Sequence, residues 1–383
     1  MKKIFLLVLL LLSLNCYSQK NVLEEVVLSP NEKLIAFTYY DAEGILDIFT
    51  YDLENNTTRR ATNSYELKSG RQSKNCLNWI DNERLILISK PDGFEQQYIL
   101  DIKKNTFDLE SPSTGKDFEN EYALIYSKTN NRSYYTAFRN GKEPAVYSKV
   151  LGEKEEKKIS KGKVNSTLMS VSPDGKYLEY EESIISRSHF ISLEKNKEIS
   201  LKLPKTNIRI LAWSSSSDKF IYTHTYYLEK GKPAIDLKIY DLITHKQTEV
   251  EIGIETKVEF EMITGTGHRI EIETSRRVKL GIEPEIEIGT EIVGIKHIIE
   301  HNTGQIMEFS IEGIWSPCED YFYSLSDKSY LVDISSNTKR EYNVAGEPIS
   351  FLNNCQSVLF KQNNRMFILD LLDGSIRDIT LII

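Results

Sequence analysis

The chain has 383 residues, 40% of them hydrophobic and 27% charged, ordinary proportions for a globular protein that exclude a collagen, a disordered tail protein and a multi-span membrane protein. Lys and Arg number 48 against 56 Asp and Glu, a net charge of −8, and there is no long basic stripe. A nucleic-acid binder that neutralises phosphates is therefore not expected. With 21 Tyr and 15 Phe against 5 Met, the composition favours strands over helices.

In chain order, the first element is a leader. Met1-Lys2-Lys3 is a short positive region, Ile4 to Leu14 an apolar core, and Gln19-Lys20 is abruptly polar. This pattern predicts a secretory signal peptide over residues 1–18, cleaved after the small residue Ser18, and it is too short to anchor in a hydrocarbon layer about 30 Å thick. The alternative is lipidation at Cys16, for which Ser13-Leu14-Asn15 is a poor preceding sequence. No later apolar run reaches the length of a transmembrane span. The four cysteines (Cys16, Cys76, Cys318 and Cys355) form no disulfide framework, and the expected state of the mature chain's three is buried or half-buried free thiols, with one bridge at most.

From residue 19 to 383 the sequence reads as a single repetitive domain. The opening half of the unit is an apolar residue, a Ser-Pro type turn and a strand. It occurs at Leu28-Ser29-Pro30, Val171-Ser172-Pro173-Asp174-Gly175-Lys176, Trp213-Ser214 and Trp315-Ser316-Pro317. The closing half is a strand ending in Asp between apolar residues: Tyr51-Asp52-Leu53, Leu100-Asp101-Ile102, Tyr240-Asp241-Leu242, Val332-Asp333-Ile334 and Leu369-Asp370-Leu371. Weaker units open near Trp79-Ile80, Tyr126-Ser127 and Ile263-Thr264. The turn positions fall at 29, 80, 127, 172, 214, 264, 316 and 352, about 46 residues apart on average. A period of roughly 40–50 residues with four strands per unit predicts an all-β fold, a β-propeller of four-stranded antiparallel blades. Eight blades are expected, or seven if the irregular stretch 253–306 is an insertion. Both ends supply whole units, so closure of first onto last would rest on packing. Trp79, Trp213 and Trp315 share one slot at the end of the first strand and are expected to pack between blades.

The Ser-Pro-Asp-Gly-Lys turn and the Tyr-x-x-Asp-Leu tail resemble the WD-repeat-like elements of TolB-like periplasmic propellers and of the propeller domains of prolyl-oligopeptidase-type enzymes. The resemblance runs over residues 22–383. It implies the fold and an envelope location, periplasm or cell envelope of a Gram-negative bacterium, and maps no contact residue onto this chain. Fold alone does not carry function.

Chemistry is sparse. No Gly-x-Ser-x-Gly elbow, phosphate loop or dinucleotide glycine motif is present, so a serine peptidase of the prolyl-oligopeptidase type is close to excluded. His297-Ile298-Ile299-Glu300-His301 matches a zinc-peptidase pattern. That chemistry needs a helix, and in the strand expected here His297 and His301 lie about 13 Å apart, too far for one metal. His297, Glu300 and His301 are thus weak metal candidates. Glu259, Glu261, Glu271, Glu273, Glu283, Glu285, Glu287 and Glu291 alternate with apolar residues, which predicts strands carrying carboxylates on one face. Glu283, Glu285 and Glu287 are weak candidates for partner binding, and nearby Arg276, Arg277 and Lys279 would neutralise them internally. His189, His224, His245 and His268 read as surface or packing residues. Three Asn-x-Ser/Thr sequons, at Asn56, Asn131 and Asn165, carry little weight.

The expectation is an exported, non-enzymatic binding or scaffold propeller of the cell envelope, without cofactor or catalytic residue, recognising a protein or glycan partner through loops on a rigid frame. The alternative is a propeller enzyme, a lyase or glycan hydrolase acting at the central channel.

Overall fold

A computed structural model describes residues 22–40, 46–62, 76–90, 94–110, 120–139, 142–161, 165–182, 187–204, 207–227, 233–249, 258–263, 269–274, 312–315, 321–325, 329–333, 338–344, 346–379 and 381. All thirty elements among them are strands. The chain divides into two compact units, residues 1–122 with 380–383, and residues 123–379.

The first unit holds two four-stranded sheets. One contains β1 (Val22–Leu28), β2 (Leu34–Tyr40), β3 (Leu46–Asp52) and β4 (Thr57–Arg60); the other contains β5 (Asn78–Trp79), β6 (Arg84–Ser89), β7 (Gln96–Asp101) and β8 (Thr106–Leu109). A third sheet begins at the boundary with β9 (Glu121–Ser127) and continues as β10 (Arg132–Ala137), β11 (Ala145–Val150) and β12 (Glu156–Lys158). The second unit continues with β13 (Ser166–Val171), β14 (Tyr177–Glu182), β15 (Arg187–Ser192) and β16 (Lys197–Glu198), then β17 (Ile208–Trp213), β18 (Lys219–Tyr227), β19 (Pro233–Asp241) and β20 (Gln247–Glu249). A hairpin follows, β21 (Val258–Ile263) and β22 (Arg269–Thr274). The last two sheets are β23 (Glu312–Trp315), β24 (Tyr321–Leu325), β25 (Ser329–Asp333), β26 (Thr338–Tyr342), and β27 (Glu347–Leu352), β28 (Ser357–Gln362), β29 (Arg365–Asp370), β30 (Ile376–Ile379).

The protein is an all-β propeller of four-stranded antiparallel blades, each drawn from one contiguous stretch of chain. The sequence predicts eight such blades, or seven if the stretch 253–306 is an insertion. The described residues form seven four-stranded sheets and one two-stranded sheet, β21–β22. Within the second unit, β17 lies against β23 and β23 against β27. The hairpin therefore does not stand between the sheet that precedes it and the sheet that follows.

The pattern of burial explains the sequence. Second strands are buried on both faces, because each sheet has apolar neighbours on either side. Ile35, Ala36 and Phe37 in β2 and Val358 and Leu359 in β28 are fully buried, so these strands read as near-continuous apolar runs rather than alternating ones. Fourth strands such as Thr57–Arg60 and Glu156–Lys158 are mostly exposed and carry charge. Their ladder edge faces water, and charge discourages pairing with another chain.

The Ser turn and the Asp tail each have a local cause. Ser29, Ser172 and Ser214 accept a hydrogen bond at Oγ from the N–H five residues on, at 2.9, 2.9 and 3.0 Å. In the first two, the hydroxyl donates to Asn31 and Asp174, each at 2.8 Å. The fourth residue of the turn (Glu32, Gly175 or Ser217) has φ of 58°, 68° or 61°. The Asp of the tail caps the next hairpin. Asp52 Oδ1 accepts the N–H groups of Glu54 and Asn55 at 2.9 Å, and Asp241 Oδ1 those of Ile243 and Thr244 at 2.9 and 2.7 Å. Four residues after that slot the chain turns left-handed, at Asn56, Asn105, Asn196, His245 and Gly374, residue types that tolerate positive φ.

Adjacent sheets are tied by the same turns. Asn31 N–H donates to Asn82 Oδ1 at 3.1 Å in the first unit, and Asp174 N–H to Ser217 Oγ at 3.0 Å in the second. The tryptophan slot behaves as expected at its two described side chains. Trp79 is buried against Val27 and Leu77 and donates its indole N–H to the Val27 carbonyl at 3.2 Å. Trp213 stacks on Tyr177 and donates to Ser170 Oγ at 3.2 Å.

One cysteine expectation is corrected. Cys76 is a free thiol, but Cys355 is disulfide-bonded, with its partner outside the described residues.

Candidate functional site

The weak metal candidates His297, Glu300 and His301, the partner candidates Glu283, Glu285 and Glu287, and the lipidation candidate Cys16 all lie outside the described residues. So does His268. At the start of the acidic stretch, the register of β21 with β22 sets Glu259 opposite Glu273 and Glu261 opposite Glu271, the one-face arrangement that alternation predicts. Among the described residues, no group of three or more His, Cys, Asp or Glu side chains could hold a metal ion.

The structure instead gathers ionisable groups on sheet β13–β16. Its two faces carry different clusters, because side chains alternate along a strand. On one face of β14 sits Glu179, 1% exposed, opposite Ser170 of β13 and Phe190 of β15. A shift in the β13 ladder between Leu168 and Ser170 turns the Ser170 hydroxyl onto the carboxylate, where it donates to Oε2 at 3.0 Å. Oε1 accepts no hydrogen bond. Burial pushes the Glu179 carboxyl up to about 7, against the opposing pull of the Ser170 and Ser188 hydroxyls, with Glu181 adding like-charge repulsion and Arg209 a weaker attraction. The site is therefore a carboxylic acid that changes charge near neutral pH while closed off from solvent. It can exchange a proton, but it offers no surface to a substrate.

The opposite face carries His189 on β15. Its ring stacks on Tyr180 with centroids 4.8 Å apart. Nδ1 lies 2.8 Å from Glu198 Oε1 and Nε2 3.3 Å from Glu182 Oε2. His189 is a packing residue as expected, and its two carboxylate partners were not legible along the chain because Glu182 and Glu198 come from the neighbouring strands β14 and β16. His224 is half-buried, stacked on Tyr226 and held below the ordinary histidine range by burial. His245 sits in a turn with Nδ1 3.1 Å from Tyr240 Oη.

Other charges, buried or half-buried on at least one side of each pair, are spent on the frame. Arg139 clasps Glu156 with Nε and Nη2 at 2.8 and 2.9 Å, and Tyr135 Oη donates to the same carboxylate at 2.6 Å. Asp47 pairs with Arg60 and accepts from Thr62 Oγ1 at 2.8 Å. Glu25 receives the N–H groups of Cys76 and Leu77 at 2.7 and 2.8 Å, closing the link into β5. Glu121 Oε2 receives both the backbone and side-chain N–H of Gln97 at 3.1 Å. A signal for Glu179 did exist in the sequence: Tyr177-Leu178-Glu179-Tyr180 places a charge inside a second strand, where neighbouring units carry Ala36, Ile86 or Ile221.

Residues 12–183 match the family model described as the dipeptidyl peptidase IV (DPP IV) N-terminal region. Among solved structures, the oligogalacturonate lyase of Vibrio parahaemolyticus is similar at a TM-score of 0.58 and 9% identity, over 92% of this chain and 90% of that one. A prolyl endopeptidase is similar at 0.56 and 9% identity over 94% of this chain, which spans 49% of that enzyme's length. A structure described as TolB from Agrobacterium tumefaciens has a TM-score of 0.41 and 15% identity, over 60% of this chain and 80% of that one. No curated protein matches the chain in sequence. The propeller reading drawn from the Ser-Pro-Asp-Gly-Lys turns is thus met in both the family model and the solved folds. At these identities the structural likeness speaks to fold alone.

Proposed function

We propose that this protein is an exported, seven-bladed binding propeller of the cell envelope that recognises a protein or glycan partner and catalyses no reaction. The observation carrying the reading is where the buried and half-buried carboxylates go. Glu25, Asp47, Glu121 and Glu156 are each engaged in a contact that fastens strands to links or turns, and Glu179 is closed from solvent. Such a frame holds loops rigidly, and rigidly held loops serve recognition. The packing of β17 against β23 supports seven blades, with β21–β22 standing outside the series. The disulfide at Cys355 supports export, since disulfides persist in oxidising compartments. Cleavage after Ser18 or a lipid tether at Cys16 completes the address.

The test is capture from the native envelope fraction with the full mature chain, paired with a turnover assay on oligogalacturonate and on unfolded peptide. A stoichiometric, saturable partner without product formation is the expected outcome. Unsaturated sugar ends or cleaved peptide appearing at multiple turnovers would replace this reading with the enzymatic one, which the likeness to an oligogalacturonate lyase, to a prolyl endopeptidase and to the dipeptidyl peptidase IV N-terminal region supports.

A further inference from the structure

Besides the turn contact of Asp174 with Ser217, sheets β13–β16 and β17–β20 meet across a chain of polar contacts centred on Ser170. Trp213 of β17 donates its indole N–H to Ser170 Oγ at 3.2 Å, and Ser170 donates in turn to Glu179 Oε2 at 3.0 Å. Around this chain the joint is aromatic: Phe190 stacks on Phe220 with centroids 5.9 Å apart, Trp213 lies 5.0 Å from Phe220, and Tyr177 stacks on Trp213. An anion in such surroundings lacks the donors that water would supply, and Oε1 of Glu179 has none. We propose that this joint is a pH-sensitive element, in which proton release from Glu179 weakens the seating of Trp213 on Ser170 and loosens sheet β17–β20 against sheet β13–β16.

The mechanism follows from what surrounds the carboxyl on each strand. On its own strand the charged neighbour is Glu181, which opposes ionisation. From β17 it is Arg209, exposed, which favours it. β13 and β15 contribute the neutral Ser170, Ser188 and Phe190. When the proton leaves, Glu179 must recruit donors. Those at hand are the Ser188 hydroxyl, which already acts on the carboxyl and lies 3.4 Å from the Ile208 carbonyl, and the Arg209 guanidinium. One belongs to β15 and the other to β17, so serving the new charge disturbs the contact between those two strands. The direction is fixed by linkage. The folded carboxyl holds its proton up to about 7 against an ordinary value of 4.5, so the joint is tightest below about pH 4.5 and loses stability as pH rises toward 7, with no further loss above.

The experiment uses the full mature chain with ¹⁵N-labelled tryptophan. The sequence has three tryptophans, and Trp213→Phe assigns the peak of interest. Between about pH 5 and 8.5, the Trp213 indole signal is expected to titrate with a midpoint near 7 while the Trp79 signal stays still. Glu179→Gln should flatten the titration, His189→Gln should leave it in place, and Glu181→Gln should keep it with a lower midpoint, because a like charge is removed. A Trp213 signal that does not move, or one that still titrates in Glu179→Gln, overturns the proposal. Should Glu179→Gln not fold, hydrogen exchange on the unaltered protein decides instead. Corrected for intrinsic rates, protection of β17 amides should fall by about tenfold or more from pH 5.5 to 8, and unchanged protection there refutes the joint.

Discussion

Trp79 gives the sharpest test of how neighbouring sheets are held together. It closes β5, a strand of two residues, so the sheet's first strand has little ladder of its own and leans on this side chain. The ring is 8% exposed and packed among Val27, Leu77 and Leu85, residues of two different sheets of the first unit. Trp79→Ala removes a large buried aromatic and leaves a cavity that two flat sheets cannot readily collapse into, a loss of roughly 3–5 kcal/mol. Trp79→Phe keeps most of the ring but deletes the N–H that serves the Val27 carbonyl at 3.2 Å. It should cost about 1–2 kcal/mol, from the lost hydrogen bond and the carbonyl left behind. Urea unfolding followed by far-ultraviolet circular dichroism reads both values from the transition midpoint at unchanged slope. If Trp79→Ala costs less than about 1 kcal/mol, or if Phe is as damaging as Ala, the slot is not a packing joint and the reasoning behind all three tryptophans fails.

Gly175→Ala should cost about 1–3 kcal/mol. Position 175 has φ +68°, and a Cβ there would stand 2.5 Å from Asn130 Nδ2 and 2.7 Å from Ser127 Oγ; an unchanged melting temperature would refute the turn geometry. Asp52 and Asp241 are held below the usual carboxylate range first by backbone N–H donors, those of Asn55 and Thr244. Their contribution is present above the unfolded carboxylate value near 4 and is lost as pH falls through the lower folded value. The double variant Asp52→Ala with Asp241→Ala should therefore narrow the stability gap between pH 6 and pH 3, and an unaltered gap would sink this account. Alkylation of the unfolded, unreduced chain followed by peptide mass mapping should label Cys76 and spare Cys355; labelled Cys355 would remove both the bridge and its support for export.

Much of the repeat could be read in one dimension because its devices are local. A Ser whose hydroxyl meets the N–H five residues on, and an Asp that caps the next hairpin through the N–H groups two and three residues on, leave marks at fixed spacing. The slot four residues past the Asp, or past Ser192 in its place, is filled by Asn56, Asn105, Asn196, His245 and Gly374 and turns left-handed. No single residue type fills it, so the spacing alone marks it. The number of blades was harder, since the stretch near Ile263 has apolar-polar alternation like a blade, and alternation specifies a strand without specifying its neighbours.

The sequence by itself determined the strands, their turns and their order, because each depends on side chains reaching backbone groups a few residues away. Tertiary structure alone decided that β17 sits beside β23, that Glu182 and Glu198 flank His189, and that Glu179 is sealed among Ser170, Phe190 and the tryptophan of the next sheet. Those facts join residues up to a hundred positions apart. They arise from two sheets excluding water between them, and no spacing along the chain encodes which carboxyl will be caught inside.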